Sequence, residues 1–275
     1  MPILTVFTPT FNRAKLLARC YASMCRQTCQ DFVWLIIDDG SFDETRRLAE
    51  QWRNERHGFD LRYIYQQNQG MHGAHNTAYT NITTELNTCI DSDDWMPDDA
   101  VEKILTFWAN APKDDAVSGL AGLDVTADGA VIGTAFPDGL RRASLYDCYH
   151  RYGVRGDKKL VYRSDLTRQF PYPRFAGEKY IGLDLKYMQL DQTHRLLLFN
   201  QPLAVVEYQR DGSSRNMFKQ YRRNPRGFLH YRFAMMRLPF ADWRFRLRQA
   251  MHVPLELCFY ILAIPKRVSR KGRGN

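Results

Sequence analysis

Through the first 110 positions, apolar residues come in short blocks separated by polar, helix-spaced stretches. Residues 3–7, 32–37, 61–65 and 86–90 are apolar or β-rich runs. Uninterrupted apolar blocks of that length are the pattern of strands covered on both faces. Between them, residues 14–29, 43–56, 72–82 and 97–108 read as helices. Strands and helices alternating at short spacing predict a parallel, doubly wound α/β sheet. In such a sheet the loops that follow the strands meet along one edge, and ligands bind there.

After residue 111 the pattern changes. Residues 117–125 and 131–136 flank Asp128-Gly129, a hairpin signal. A short strand is predicted at 160–162, a rigid loop at Phe170-Pro171-Tyr172-Pro173, a helix over 183–190, and two further strands at 195–199 and 203–208. This half supplies a second, mixed layer beside the first. The expected organisation is a domain over 1–216, divided into halves 1–110 and 111–216, followed by a helical tail over 217–275.

Charge sharpens that division. The 275 residues carry a net +9, but residues 219–275 hold 14 Lys and Arg against 2 acids, leaving −3 on the rest. In the tail, basic residues interleave with Tyr221, Phe228, Tyr231, Phe233, Phe240, Trp243 and Phe245. A helical pattern begins at Trp243 and has an apolar continuation over 251–264. Basic amphipathic helices bearing Trp and Phe lie in the interface of anionic membranes. Packing on the domain or on a partner is the alternative. Nucleic acid is not expected, because no DNA- or RNA-binding motif is present and the rest of the chain is acidic. The apolar stretch contains Pro254 and Glu256 and is shorter than a bilayer span. The start has no basic region followed by a long apolar run. Six cysteines occur without a C-x-x-C pair, consistent with reduced thiols. The expected location is cytoplasmic, peripheral on the inner face of a membrane.

The chemistry gathers at Asp91-Ser92-Asp93-Asp94, directly after an apolar run. Carboxylates this close raise the cost of ionising one another unless a cation sits among them. Mg²⁺ and similar ions take one or two carboxylates together with substrate phosphates. The plain alternative is a solvated turn that caps the next helix, with Pro97 near its start. Polar or acidic loops after two other strands, residues 8–13 and 38–41, should meet this cluster on the same edge.

These features together resemble family 2 glycosyltransferases of the GT-A fold. The resemblance is carried by Thr8-Pro9-Thr10-Phe11-Asn12-Arg13, Asp38-Asp39-Gly40-Ser41, Gln67-Asn68-Gln69-Gly70 with Ala74-His75-Asn76, and Asp91-Ser92-Asp93-Asp94. It runs to about residue 216. It implies an enzyme that transfers a sugar from a nucleoside-diphosphate sugar with inversion, using Mg²⁺ or Mn²⁺. By the family's pattern Asp93 is the direct metal ligand and Asp91 faces both metal and nucleotide. Asp39, with Asp38, would accept hydrogen bonds from the base, which favours a UDP-sugar. Pro9, Arg13, Asn68 and Asn76 would line the donor site. Met71 stands where Lys is common, so His72 or His75 would replace its contact to the diphosphate. Asp38 as a helix cap and Arg13 in a surface ion pair are the plain alternatives.

An inverting transfer needs a base for the acceptor hydroxyl. The family places it in a Glu-Asp pair that opens a helix. Here Asp184 matches the Asp while Leu183 replaces the Glu; Glu178 is the reserve candidate, and capping of the helix is the alternative for Asp184. Arg210 or Arg215 would reach the diphosphate from a segment folding over the donor. The acceptor would be a saccharide or lipid-linked saccharide in cell-surface polysaccharide or glycolipid synthesis. The rival readings are a nucleotidyltransferase on a similar sheet and a nucleotide-sugar-binding protein with a degraded active site.

Overall fold

The computed structural model describes residues 1–112, 114–208 and 217–271, with side chains to residue 262. The first half alternates β1 (Leu4–Thr10), α1 (Ala14–Cys25), β2 (Val33–Asp38), α2 (Thr45–Arg53), β3 (Asp60–Tyr65), α3 (Met71–Asn81), β4 (Leu86–Cys89) and α4 (Ala100–Asn110). β2 pairs in parallel with both β1 and β3, and β1 pairs in parallel with β4. Side-chain alternation explains the uninterrupted apolar runs. Leu4, Val6, Trp34 and Ile36 enter the core beneath α1, α2 and α4, while Phe7, Leu35 and Ile37 enter the core on the opposite face.

The second half contributes β5 (Val117–Val125), β6 (Arg142–Ala143), α5 (Leu145–His150), β7 (Lys158–Arg163), α6 (Ser164–Gln169), α7 (Asp184–Leu190) and β8 (Arg195–Val205). One eight-stranded sheet results, in the order β3-β2-β1-β4-β7-β5-β8-β6. β7 runs antiparallel to both β4 and β5, and so joins the two halves.

Two expectations fail here. The Asp128-Gly129 turn forms, with the Thr126 amide donating to the Ala130 carbonyl at 2.8 Å. However, residues 131–136 make no strand beyond an isolated bridge between Val131 and Val125. Gly133, at φ +75°, sits against the carbonyl of Arg155, where a Cβ would fall 2.0 Å away. The chain therefore leaves the sheet at once, and Asn200 captures the Phe136 backbone through two 2.9 Å hydrogen bonds. The strands expected at 195–199 and 203–208 are a single strand, β8, whose pairing with β5 shifts register between Ala121 and Leu123. Asn200 and Gln201 lie at that irregularity, and their polarity mimics a turn in the sequence.

Three helices follow: α8 (Met217–Arg223), α9 (Pro225–Met236) and α10 (Trp243–Lys271). α9 is not a free appendage, since its Met235, and Leu238 and Ala241 just after it, are buried with α7 residues in one core cluster. Among the described residues no helix is long and apolar enough to cross a membrane.

Candidate active site

The loops after β1, β2 and β3 are laced together by side chains. The Asn12 amide donates to Ser41 Oγ and the Phe42 amide to Asn12 Oδ1, each at 2.9 Å. Asp43 accepts from the Ala14 amide and the Thr45 amide, which fastens the starts of α1 and α2 to one carboxylate. Pro9 is buried within β1. The Phe7 carbonyl accepts from Ile90 and the Thr10 carbonyl from Asp39, so position 9 faces the β4 side. Pairing with β4 ends at Phe7 and Cys89, and the missing proline donor therefore costs no ladder bond.

Asp38 and Asp39 are both buried. Asp38 accepts from the Ser41 amide and from the Tyr63 hydroxyl, both at 2.8 Å. Asp39 accepts from the Gln66 side chain and from the amides of Gln69 and Gly70, at 2.7–2.8 Å. Burial raises the Asp39 pKa despite these three donors. The loop that it holds includes Asn68, whose Oδ1 is buried without a hydrogen-bond partner.

Across β1, the acid cluster follows β4. Arg13 donates to Asp93 Oδ2 at 2.5 Å, so two residues expected separately form one half-buried ion pair. Arg19 donates to the Asp93 carbonyl at 2.5 Å, lies 4.2 Å from the Trp95 ring centre and pairs with Glu207. Asp94 accepts from the Glu207 amide. Burial pushes the Asp94 carboxyl up to about 7 and also raises Asp91. Lys159 of β7 donates to the Cys89 carbonyl at 3.0 Å. Burial alone would lower this lysine's pKa, but Asp124, Asp94 and Asp91 outweigh it and hold the ammonium charged. Among the described residues, no group of three or more His, Cys, Asp or Glu is arranged to hold a metal. Asp91 and Asp93 would supply the one or two carboxylates that Mg²⁺ or Mn²⁺ needs when a diphosphate and water complete the shell.

The two histidines differ. His75 lies in the core, edge-on to Phe7 at 5.0 Å between centroids, with Nε2 3.7 Å from Cys89 Sγ. Burial drops its pKa to about 3, so the ring is neutral. His72 is also buried and lowered by burial, but its Nδ1 has no hydrogen-bond partner. Asn76 uses both ends of its amide on the backbone of Tyr172, at 2.9 Å each.

The second half meets this edge at Gly70. Gly70 has φ +82°, and a Cβ there would lie 2.0 Å from the Lys179 carbonyl; no other residue type fits. Glu178, on the same loop, accepts from Arg226 Nε and the Gly227 amide at the start of α9. Asp184 opens α7 and accepts from the Tyr231 hydroxyl at 2.7 Å. Burial raises its pKa, and the Tyr231 bond partly offsets that rise. Arg210 and Arg215 lie outside the described residues.

The sequence profile described as Glycosyl transferase family 2 matches residues 5–128, the segment that carries all four strand-end loops. Over residues 5–128 the chain is therefore similar to glycosyl transferase family 2. A stretch of 106 residues is 37% identical to the chondroitin synthase of Escherichia coli, covering 38% of this chain and 15% of that protein. The chain thus spans well under two thirds of the first curated relatives it matches. Two solved structures share the fold. S. aureus TarS 1-349, in complex with UDP-GlcNAc, superposes with a TM-score of 0.68 at 16% identity, covering 94% of this chain and 72% of that one. The mannosyltransferase PcManGT of Pyrobaculum calidifontis, in complex with GDP-Man and Mn2+, gives 0.61 at 17% identity, covering 96% and 75%. These matches show the GT-A fold.

Four side chains at the site are not among the residues expected from the sequence. Lys159 and Arg19 sit in ordinary basic, helix- or strand-compatible positions, and nothing local marks them as partners of the acids. Lys186 is buried on α7, donates to the Thr167 carbonyl at 2.5 Å and lies 3.8 Å from the Tyr79 ring centre. A lysine inside an apolar helical face was the available signal. Tyr231 stands out in the sequence only as one of the tail aromatics.

Proposed function

We propose that the chain is an inverting, divalent-metal-dependent glycosyltransferase that takes a nucleotide-sugar donor, with a UDP-sugar favoured. The acceptor would be a saccharide or lipid-linked saccharide in polysaccharide or glycolipid synthesis. The observation that carries this reading is the contact between Gly70 and Lys179. It abuts the donor-side loop held by Asp39 against the loop that leads to Asp184. Asp39 orders the loop, and Asn68 Oδ1, buried and unpartnered, supplies the acceptor for a base N–H. Arg13 and Lys159 hold positive charge beside Asp93 and Asp91, where a diphosphate would lie. Mg²⁺ or Mn²⁺, held by Asp93 and Asp91 when bound, would supply Lewis-acid stabilisation of the leaving diphosphate. The acceptor hydroxyl oxygen forms a bond to the anomeric carbon as the bond to the diphosphate breaks. Its proton passes to the Asp184 carboxylate. The raised pKa of Asp184 suits a base, because it increases the proton affinity of the carboxylate. Both oxygens of Glu178 are engaged by α9, so the base role is assigned to Asp184.

A panel of sugar nucleotides with Mg²⁺ or Mn²⁺, read by nucleotide release in the presence of saccharide acceptors, tests the reading. Release from one donor that stops on chelation is expected. Neither release nor binding of any donor would overturn it in favour of a chain without transferase activity.

The location at an anionic membrane is part of the same proposal. α10 turns Gln249 and Glu256 inward to Arg232, while Trp243, Leu247, Met251 and Ile261 are exposed beside Arg244 and Arg248. An exposed apolar stripe flanked by arginines matches an anionic interface. Flotation of the full chain with vesicles containing anionic lipid, and not with neutral vesicles, is expected. A chain that stays with the soluble fraction in both cases rejects membrane attachment.

A further inference from the structure

Asp184 is held by a helix that lies far from it in sequence and outside the segment matched by the family profile. The start of α9 is fastened at Glu178, which takes Arg226 Nε at 3.1 Å and the Gly227 amide at 2.8 Å. A Cβ on Gly227 would fall 2.5 Å from the Tyr180 carbonyl, so α9 lies close against the loop before α7. One turn on, the Tyr231 hydroxyl reaches Asp184 Oδ2 at 2.7 Å. The next residue, Arg232, is locked from the other side by Glu256 at 3.0 Å and Gln249 at 2.7 Å, both on α10. Gly182 completes the nook. A Cβ there would lie 2.8 Å from Asp184 Oδ1 and 2.8 Å from the Tyr231 ring. The carboxylate is therefore boxed between Gly182 and Tyr231, with one oxygen committed to the phenol.

We propose that Tyr231 is a positioning residue for the reaction: its hydroxyl fixes the rotamer of Asp184 through Oδ2 and leaves Oδ1 as the oxygen that takes the acceptor proton. This rests on the reading of Asp184 as the base. A phenol donor also stabilises the charged carboxylate, so the same bond sets the pH at which the base becomes competent. The groups that face Asp184 are Tyr231 and Arg232 from α9, Tyr180 from the loop before α7, and Tyr172 from the loop after α6. The three tyrosines all have raised pKa values, caused first by burial, and stay neutral through the assay range. Asp184 is the carboxylate of this group, and burial raises its pKa.

The experiment is the pH profile of the full chain carrying Tyr231→Phe, with its donor KM and thermal midpoint. The expected result is a kcat about tenfold lower, the order of one charge-assisted hydrogen bond, with donor KM within about twofold. The acidic limb should move to higher pH. Phe228→Leu loosens the same helix without touching the carboxylate, and should leave that limb in place. If Tyr231→Phe does not fold, 3-fluorotyrosine at position 231 keeps the shape and strengthens the donor; the limb should then move to lower pH. An unmoved limb in the variant that folds, or an equal movement in Phe228→Leu, overturns the positioning role. Asp184→Asn separates the two readings. If it retains turnover, the base assignment has failed and the proposal falls with it. If it is inactive while Tyr231→Phe matches the wild type, only the role of Tyr231 is overturned.

Discussion

From β1 to α4 the strands run parallel to one another, and each candidate residue sits at the end of its strand or in the loop or helix that follows it. From β5 onward the sheet is mixed, and the candidate residues depend on partners distant in sequence. Asp184 is bonded by Tyr231, 47 positions away, and Glu178 by Arg226, 48 positions away. The first half is therefore assembled from local βα units whose ends are marked by Pro, Gly, Asn and Asp. The second is assembled by packing. Under the proposed function the difference teaches where each task would be kept: donor recognition on short, repeated units, and the acceptor base on a helix clamped by the tail.

The largest test of this contrast sets Asp93→Asn against Asp184→Asn. If the halves divide the labour as proposed, Asp184→Asn lowers turnover by about 10²–10⁴-fold, the range for a lost general base. Donor affinity, measured by calorimetry, should stay within a few-fold. Asp93→Asn should instead weaken metal-dependent donor binding itself. Equal loss of donor binding in both variants would erase the division.

A smaller effect is expected at the seam. Gly70→Ala forces a Cβ onto the Lys179 carbonyl at a φ of +82°. Strain of this kind costs about 1–3 kcal/mol before the clash is added. Urea unfolding should show a lower midpoint, and donor binding should fall with it. A variant as stable as wild type would mean that the two loops do not abut in solution.

The smallest effect concerns Lys186, buried among Tyr79 and Tyr172. Burial drops its pKa from 10.5 to about 7. Between those values the unfolded chain holds a proton that the folded chain has released, so stability should rise with pH from about 7 toward 10.5. Lys186→Met should flatten that rise in denaturant midpoints measured at pH 7 and pH 9.5, leaving the acid cluster untouched. An unchanged slope would show that another group carries the pH dependence.

How much could be read before the fold was known depended on how local the cause was. The four parallel strands were legible because burial on both faces demands uninterrupted apolar runs. The four loops were legible because proline, positive-φ glycine and capping carboxylates are local requirements; Gly40, at φ +87°, is one of them. The failed strand at 131–136 and the fused β8 were not legible. There the outcome was set by Gly133 meeting Arg155 and by Asn200 bonding Phe136, contacts without a local signature.

The residues by themselves thus determined the α/β class, the family resemblance, the strand-end carboxylates and the amphipathic character of α10. The tertiary structure alone decided that Arg13 pairs with Asp93, that Lys159 stands among Asp91, Asp94 and Asp124, and that α9 reaches back to hold Asp184. The physical reason is range. Periodicity and backbone strain act over a few residues and leave a pattern in the chain. A buried charge or a carboxylate rotamer is set by whichever side chains the packing brings within about 3 Å, wherever they lie in the sequence.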